Sequence, residues 1–179
     1  MIDSAKNGGR LFLLVGNSGS GKDTLIRSVV DCWQPGYISL YTPRRYITRP
    51  AHPSEPSIPV DHTDFAQMRS SGSFFLHWIS YGIQYGLPAD IDRYLDRGAF
   101  VLANASRDVV ETARKHCAGT RVVFIKVPYE TTVVRLLLRG RENPCDSGFK
   151  ARLRRACQYP SSKTADFILS NNGNLDAAV

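Results

Sequence analysis

Cysteine, histidine and long apolar runs are scarce in this chain, and each scarcity removes a class of protein. The four cysteines, Cys32, Cys117, Cys145 and Cys157, are scattered, with no CxxC pair and no metal-ligand spacing. Reduced thiols in or near the core are expected. The four histidines, His52, His62, His77 and His116, are as dispersed, so no zinc site is expected. No apolar run approaches the roughly 20 residues needed to span a bilayer, and Met1 to Arg10 is polar, without an apolar signal core. A cytoplasmic protein with no membrane partner is the expectation. Repeats, low-complexity tracts and a lysine-rich tail are also missing.

What is abundant is positive charge. Over 179 residues the formal net charge is +7, and arginines concentrate in Arg44–Arg49 and Arg135–Arg155. Such a surplus suits a polyanionic partner. The planar arginine fork grips phosphate in bidentate fashion. No helix-turn-helix or RNA-recognition signature accompanies it, so small phosphorylated molecules are expected and nucleic acid is not. A hydrophobic fraction of 42% gives ample material for a core.

The apolar run Leu11–Val15 ends at Gly16, as a buried parallel strand would. Leu25, Ile26, Val29, Val30 and Trp33 then fall at helical spacing, and Pro35-Gly36 stops the helix. Residues 37–48 read as extended. Four prolines between Pro50 and Pro59 argue against a regular core element. A short helix is expected from Asp61 or Thr63. Aromatics interleaved with glycines fill 74–86, and Phe74, Phe75 and Trp78 read as the core of a small subdomain. Helices near 89–97, 107–117, 129–139 and 149–158 alternate with strands 100–103, 121–127 and 166–169. That alternation predicts an α/β fold, a central parallel sheet between helical layers. The chain reads as one kinase domain over 1–179, with an insertion at about 45–88 and a lid at about 139–150.

Between the first strand and helix lies Gly16-Asn17-Ser18-Gly19-Ser20-Gly21-Lys22-Asp23-Thr24. Its glycines let successive N–H groups point inward at phosphate oxygens, and Lys22 reaches the terminal phosphates. The pattern GxxxxGK[ST] is broken, because Asp23 stands at the hydroxyl position and Thr24 follows one residue later. Asp23 either ligates a magnesium ion or caps the helix electrostatically.

Beyond the loop the chain resembles the nucleoside monophosphate kinases, within them the guanylate-kinase-like branch. The resemblance rests on Tyr46-Ile-Thr-Arg49-Pro, Tyr85-Gly86, Arg139-Gly-Arg-Glu-Asn143 and Ala151-Arg-Leu153. It is closer still to the ribose 1,5-bisphosphate phosphokinases of bacterial phosphonate utilisation, through 19–23, 45–50, 104–107 and 139–143. The resemblance implies a P-loop NTPase fold and transfer of the ATP γ-phosphoryl group, with Mg²⁺, to ribose 1,5-bisphosphate. The product would be 5-phosphoribosyl 1-diphosphate. It also implies that Lys22 and the loop hold ATP, and that Asp23 and Thr24 stand near the metal. Arg45, Tyr46, Thr48, Arg49 and Tyr85 would hold the acceptor, with Asn104 and Arg107. Arg139, Arg141 and Arg152 would swing over the transferring group, while Arg154 and Arg155 stand lower as candidates. Guanylate kinase, another small-molecule kinase of this fold and a non-catalytic binding module are the alternatives. No feature of the sequence specifies an oligomeric state.

One absence bears on the acceptor. Guanylate kinases read guanine with acidic residues before their Tyr-Gly pair, where Ser80 stands here, and no Asp or Glu occurs from 65 to 89. Guanine N–H groups lose their acceptors and a second acceptor phosphate loses its repulsion.

Overall fold

The computed structural model describes residues 8–34, 36, 38–51, 55–138, 144–158 and 164–173. Strand β1 (Arg10–Gly16) is the axis of the molecule. Its side chains alternate between two apolar layers. Leu11, Leu13 and Val15 enter the larger cluster, while Phe12 and Leu14 face the smaller one. Such alternation with burial on both sides is the signature of a central parallel strand.

Helix α1 (Lys22–Cys32) lays Leu25, Ile26 and Val29 on the smaller cluster. Val30, assigned by spacing to the same face, is exposed. Strands β2 (Leu40–Tyr41), β7 (Phe100–Asn104), β8 (Arg121–Lys126) and β9 (Phe167–Ser170) complete a five-stranded parallel sheet of order β2-β7-β1-β8-β9. Leu13 sits opposite Ala103 on one side and Val122 on the other. On the larger cluster pack α3 (Ile91–Asp96), through Ile91 and Leu95, and α4 (Val110–His116), through Val110 and Ala113. A single 3₁₀ turn, Arg107–Val109, leads into α4. Helices α5 (Tyr129–Leu138) and α6 (Ser147–Gln158) follow β8. Fully buried side chains such as Phe124, Leu11 and Ile91 each contribute about 1.5–3 kcal/mol.

A second sheet stands beside the first, in order β4-β3-β6-β5. It comprises β3 (Arg45–Ile47), β4 (Ser57–Pro59), β5 (Phe74–Ser80) and β6 (Ile83–Pro88). Helix α2 (His62–Ser70) adjoins it, capped by the Asp61 carboxylate, which accepts from the Asp64 amide. The prolines of 50–59 argue against a regular element, yet Ser57–Pro59 pairs parallel with β3. The physical reason is position. β4 is an edge strand, where a missing N–H costs no ladder bond.

The aromatic stretch is a hairpin, with Tyr81 (φ +53°) and Gly82 (φ +75°) as its two-residue turn. Two left-handed residues in succession match the right-handed twist of the strands. Phe75, Trp78 and Tyr85 from this sheet join the core cluster of the main sheet. The glycine of the Tyr85-Gly86 pair packs face-on to Phe74, whose ring occupies the space a Cβ would need. Among the described residues no helix is long and apolar enough to cross a membrane.

Candidate active site

The loop after β1 is built to meet an anion. Gly21, at the helix N-cap position, has φ +86° and offers no side-chain cap. The first-turn amides of α1 therefore have no capping acceptor from that residue, and the helix end carries partial positive charge. Lys22 Nζ donates to the Gly16 and Asn17 carbonyls at 3.1 and 3.0 Å and to Ser20 Oγ at 3.2 Å. These bonds curl the lysine along its own loop. From the far end of the sheet, the buried Asn171 side chain donates to the Ser20 carbonyl at 3.0 Å.

Above the loop opens a cavity of about 400 Å³. Five arginines line it, namely Arg45, Arg49, Arg107, Arg152 and Arg155, against the carboxylates of Asp23 and Glu55. The charges are ordered. Asp23 accepts from Asn104 Nδ2 at 2.6 Å and from Arg45 Nη2 at 3.2 Å. Arg45 Nη2 also donates to Glu55 Oε1 at 2.7 Å, and the second Glu55 oxygen takes Arg49 Nη2. A ladder Asn104–Asp23–Arg45–Glu55–Arg49 thus ties the loop to the small sheet. Burial opposes the Arg49 charge, but Glu55 outweighs it and holds the guanidinium above its ordinary pKa.

Arg107 Nη2 donates to Asn17 Oδ1 at 2.9 Å, which places its fork at the loop mouth. The opposite wall is aromatic, with Trp78 and Tyr85 stacked at 5.4 Å. At the hairpin tip the Tyr81 ring lies 4.4 Å under the Arg152 guanidinium, a cation–π contact. Arg155 pairs with Asp108 at 3.0 Å. Burial pushes the Tyr81 hydroxyl above its usual pKa and outweighs the nearby Arg155 and Arg152.

Most of the residues singled out in the sequence converge here. Gly16, Asn17, Ser18, Gly19, Gly21, Lys22 and Asp23 line the cavity, as do Arg45, Arg49, Tyr85, Asn104, Arg107 and Arg152. Ser20 is fully buried beneath the loop, its hydroxyl facing Lys22. Thr24 is exposed on α1 and is not part of the cavity wall. Tyr46 packs on Phe74, and the Thr48 hydroxyl accepts the Gln84 amide at 2.9 Å, so both brace the small sheet behind the wall. Arg139 and Arg141 lie outside the described residues. Asn171 and Tyr81 were not anticipated, and Glu55 and Arg155 are more central than their sequence context suggests. For Glu55 the signal is a lone acid among prolines, close after Arg49.

A glycine loop feeding an uncapped helix, facing an arginine-lined cavity on a parallel sheet, defines a phosphate-loop kinase of guanylate-kinase-like fold. Guanylate kinase from Anaplasma phagocytophilum superposes with a TM-score of 0.67 over 96% of this chain and 81% of that chain, at 20% identity. No protein-family model matches the chain. Ribose 1,5-bisphosphate phosphokinase PhnN of Methylobacterium radiotolerans is 37% identical over 172 residues, covering 95% of this chain and 93% of the relative. The Pseudomonas paraeruginosa protein of that name is 35% identical over 96% of this chain and 91% of its own. That of Rhodopseudomonas palustris reaches 39% over 74% of this chain and 68% of its own. The chain belongs to the ribose 1,5-bisphosphate phosphokinase family.

Proposed function

We propose that this protein transfers the γ-phosphoryl group of ATP to the 1-phosphate of ribose 1,5-bisphosphate, releasing ADP and 5-phosphoribosyl 1-diphosphate. The reaction serves phosphonate utilisation in the cytoplasm. The observation that carries this reading is the composition of the cavity, in which five arginines meet an aromatic wall of Trp78, Tyr81 and Tyr85 drawn from a stretch, 65 to 89, that holds no Asp or Glu. Family membership points the same way.

The roles follow from charge and position. Lys22 leaves its loop acceptors for the donor's terminal phosphates, which the loop amides also bind. Arg49 and Tyr85 grip the acceptor, while Tyr46 and Thr48 keep their strand in register. Arg107 and Arg152 face the space between donor and acceptor, where negative charge accumulates during transfer. An acceptor phosphate is already nucleophilic, so no general base is needed.

The residues also fit a magnesium ion. Asp23 Oδ2 receives one long contact, 3.3 Å from Arg45, and retains lone-pair capacity beside Lys22. One carboxylate with donor phosphates and water is the ligand set Mg²⁺ prefers. Asp23 would hold the ion, which when bound neutralises donor charge. Thr24 stands adjacent on α1.

Coupled ADP-release assays with ribose 1,5-bisphosphate, GMP, AMP and gluconate test the reading. Turnover of the ribose bisphosphate well above the others is expected. Higher turnover of GMP overturns it.

A further inference from the structure

The ladder leaves one feature unused by the transfer chemistry. Arg45 is 8% exposed, a depth at which a guanidinium is costly unless paired. Among the described residues its hydrogen bonds to Asp23 and Glu55 all leave from Nη2. Nε and Nη1 make no bond to either carboxylate. Arg45 is part of the cavity wall. The two carboxylates hold the group through a single nitrogen, Nη2, and leave Nε and Nη1 without a hydrogen bond among the described residues.

We propose that Arg45 reads the acceptor's second phosphate, the one that is not phosphorylated, and so sets the preference for a doubly phosphorylated sugar. The inference rests on the acceptor reading above. Three observations support it. First, Arg45 is flanked by two carboxylates, so its charge is largely offset within the protein. It is poorly suited to neutralise the transferring group, a task open to Arg107 and Arg152, but well suited to offer fixed N–H donors. Second, a guanidinium only donates. The N–H edge of a nucleobase finds no acceptor on it, whereas phosphate oxygens accept two parallel bonds from such an edge. Third, Arg45 and Arg49 take opposite oxygens of Glu55, which sets two forks side by side as two stations for a bisphosphate. The Tyr85 ring, 5.8 Å from the Arg45 guanidinium, supplies an apolar wall for the sugar between them.

The test crosses enzyme variants with a truncated acceptor. Turnover of ribose 1,5-bisphosphate and of ribose 1-phosphate is measured for the unchanged protein, Arg45→Gln and Arg45→Lys. Arg45→Gln is expected to lower kcat/KM for the bisphosphate by about 10- to 100-fold, as for lost charged hydrogen bonds. Its loss on ribose 1-phosphate is expected to be about tenfold smaller. Arg45→Lys keeps a cation between Asp23 and Glu55, which protects folding, but removes the planar fork. It should show the same selective loss in smaller measure. Equal losses on both acceptors in the lysine variant overturn this proposal alone. Failure of the unchanged protein to use the bisphosphate overturns the acceptor reading, and this proposal with it.

Discussion

Asn171, from the residue after β9, donates its side-chain amide to the carbonyl of Ser20 across 151 positions of sequence. Its own amide donates to the Lys126 carbonyl at 2.9 Å, so the peptide before Gly21 is anchored to the main sheet. A Cβ on Gly21 would come within 2.6 Å of Asn171 Nδ2, and its φ of +86° is strained for other residues. Asn171→Ala removes a buried bond and is expected to cost about 1–3 kcal/mol of stability. Weaker ATP binding should accompany it. Gly21→Ala should weaken ATP further, because the loop itself must move. Thermal melts and nucleotide titration calorimetry check both.

Asp23→Asn preserves shape while removing charge beside the loop. It is expected to raise the Mg²⁺ concentration for half-maximal rate about tenfold at saturating ATP, as for loss of an anionic oxygen ligand. A carboxylate that served only the helix dipole would leave that concentration unchanged. Magnesium titrations at fixed ATP separate the outcomes.

Arg152 rests on the Tyr81 ring and faces the same cavity as Lys22. Arg152→Ala should lower kcat by about 10³-fold, the lower end for arginines that stabilise a transferring phosphoryl group. The KM for ATP should change far less. Tyr81→Leu, which removes the resting contact, should leave a kcat within about fivefold of the unchanged protein. Steady-state kinetics at saturating acceptor measures the contrast.

Stability below neutral pH should depend on Asp166. Its carboxylate accepts the Val122 amide at 2.7 Å and Arg114 Nη2 at 2.9 Å, fastening the start of β9 to β8 and α4. Burial pushes its pKa up, but the Val122 amide and Arg114 outweigh burial and hold it below the usual carboxylate range. A depressed folded pKa gives stability that is complete above the unfolded pKa of about 3.9 and disappears as pH falls through the folded value. Asp166→Asn should cost about 1 kcal/mol at pH 7. The difference should shrink towards pH 3 in urea melts.

How far the sequence foretold this molecule depended on the range of the interaction. The strands and helices of the main sheet were legible because each carries its own periodicity. Leu11–Val15, the loop and the helix from Lys22 are local signals. The small sheet was harder to read. β4 is three residues long at an edge, and its prolines mask it. The Tyr81-Gly82 turn demands φ > 0 at a tyrosine, which no propensity anticipates. In the site, the residue types were legible but their pairings were not. Arg45 meets Asp23 from 22 residues away and Asn104 meets it from 81. Such partners follow only from the crossovers that bring β3 and β7 to the loop.

The pairing of Asp23 with Arg45 constrains how this protein can change. Exchange of either residue alone removes one charged contact but leaves its partner held: Arg45 keeps Glu55, and Asp23 keeps the Asn104 amide. Serine or threonine at position 23 would restore a hydroxyl to the loop and leave Glu55 as the carboxylate that positions Arg45, so donor-side and acceptor-side chemistry would shift together.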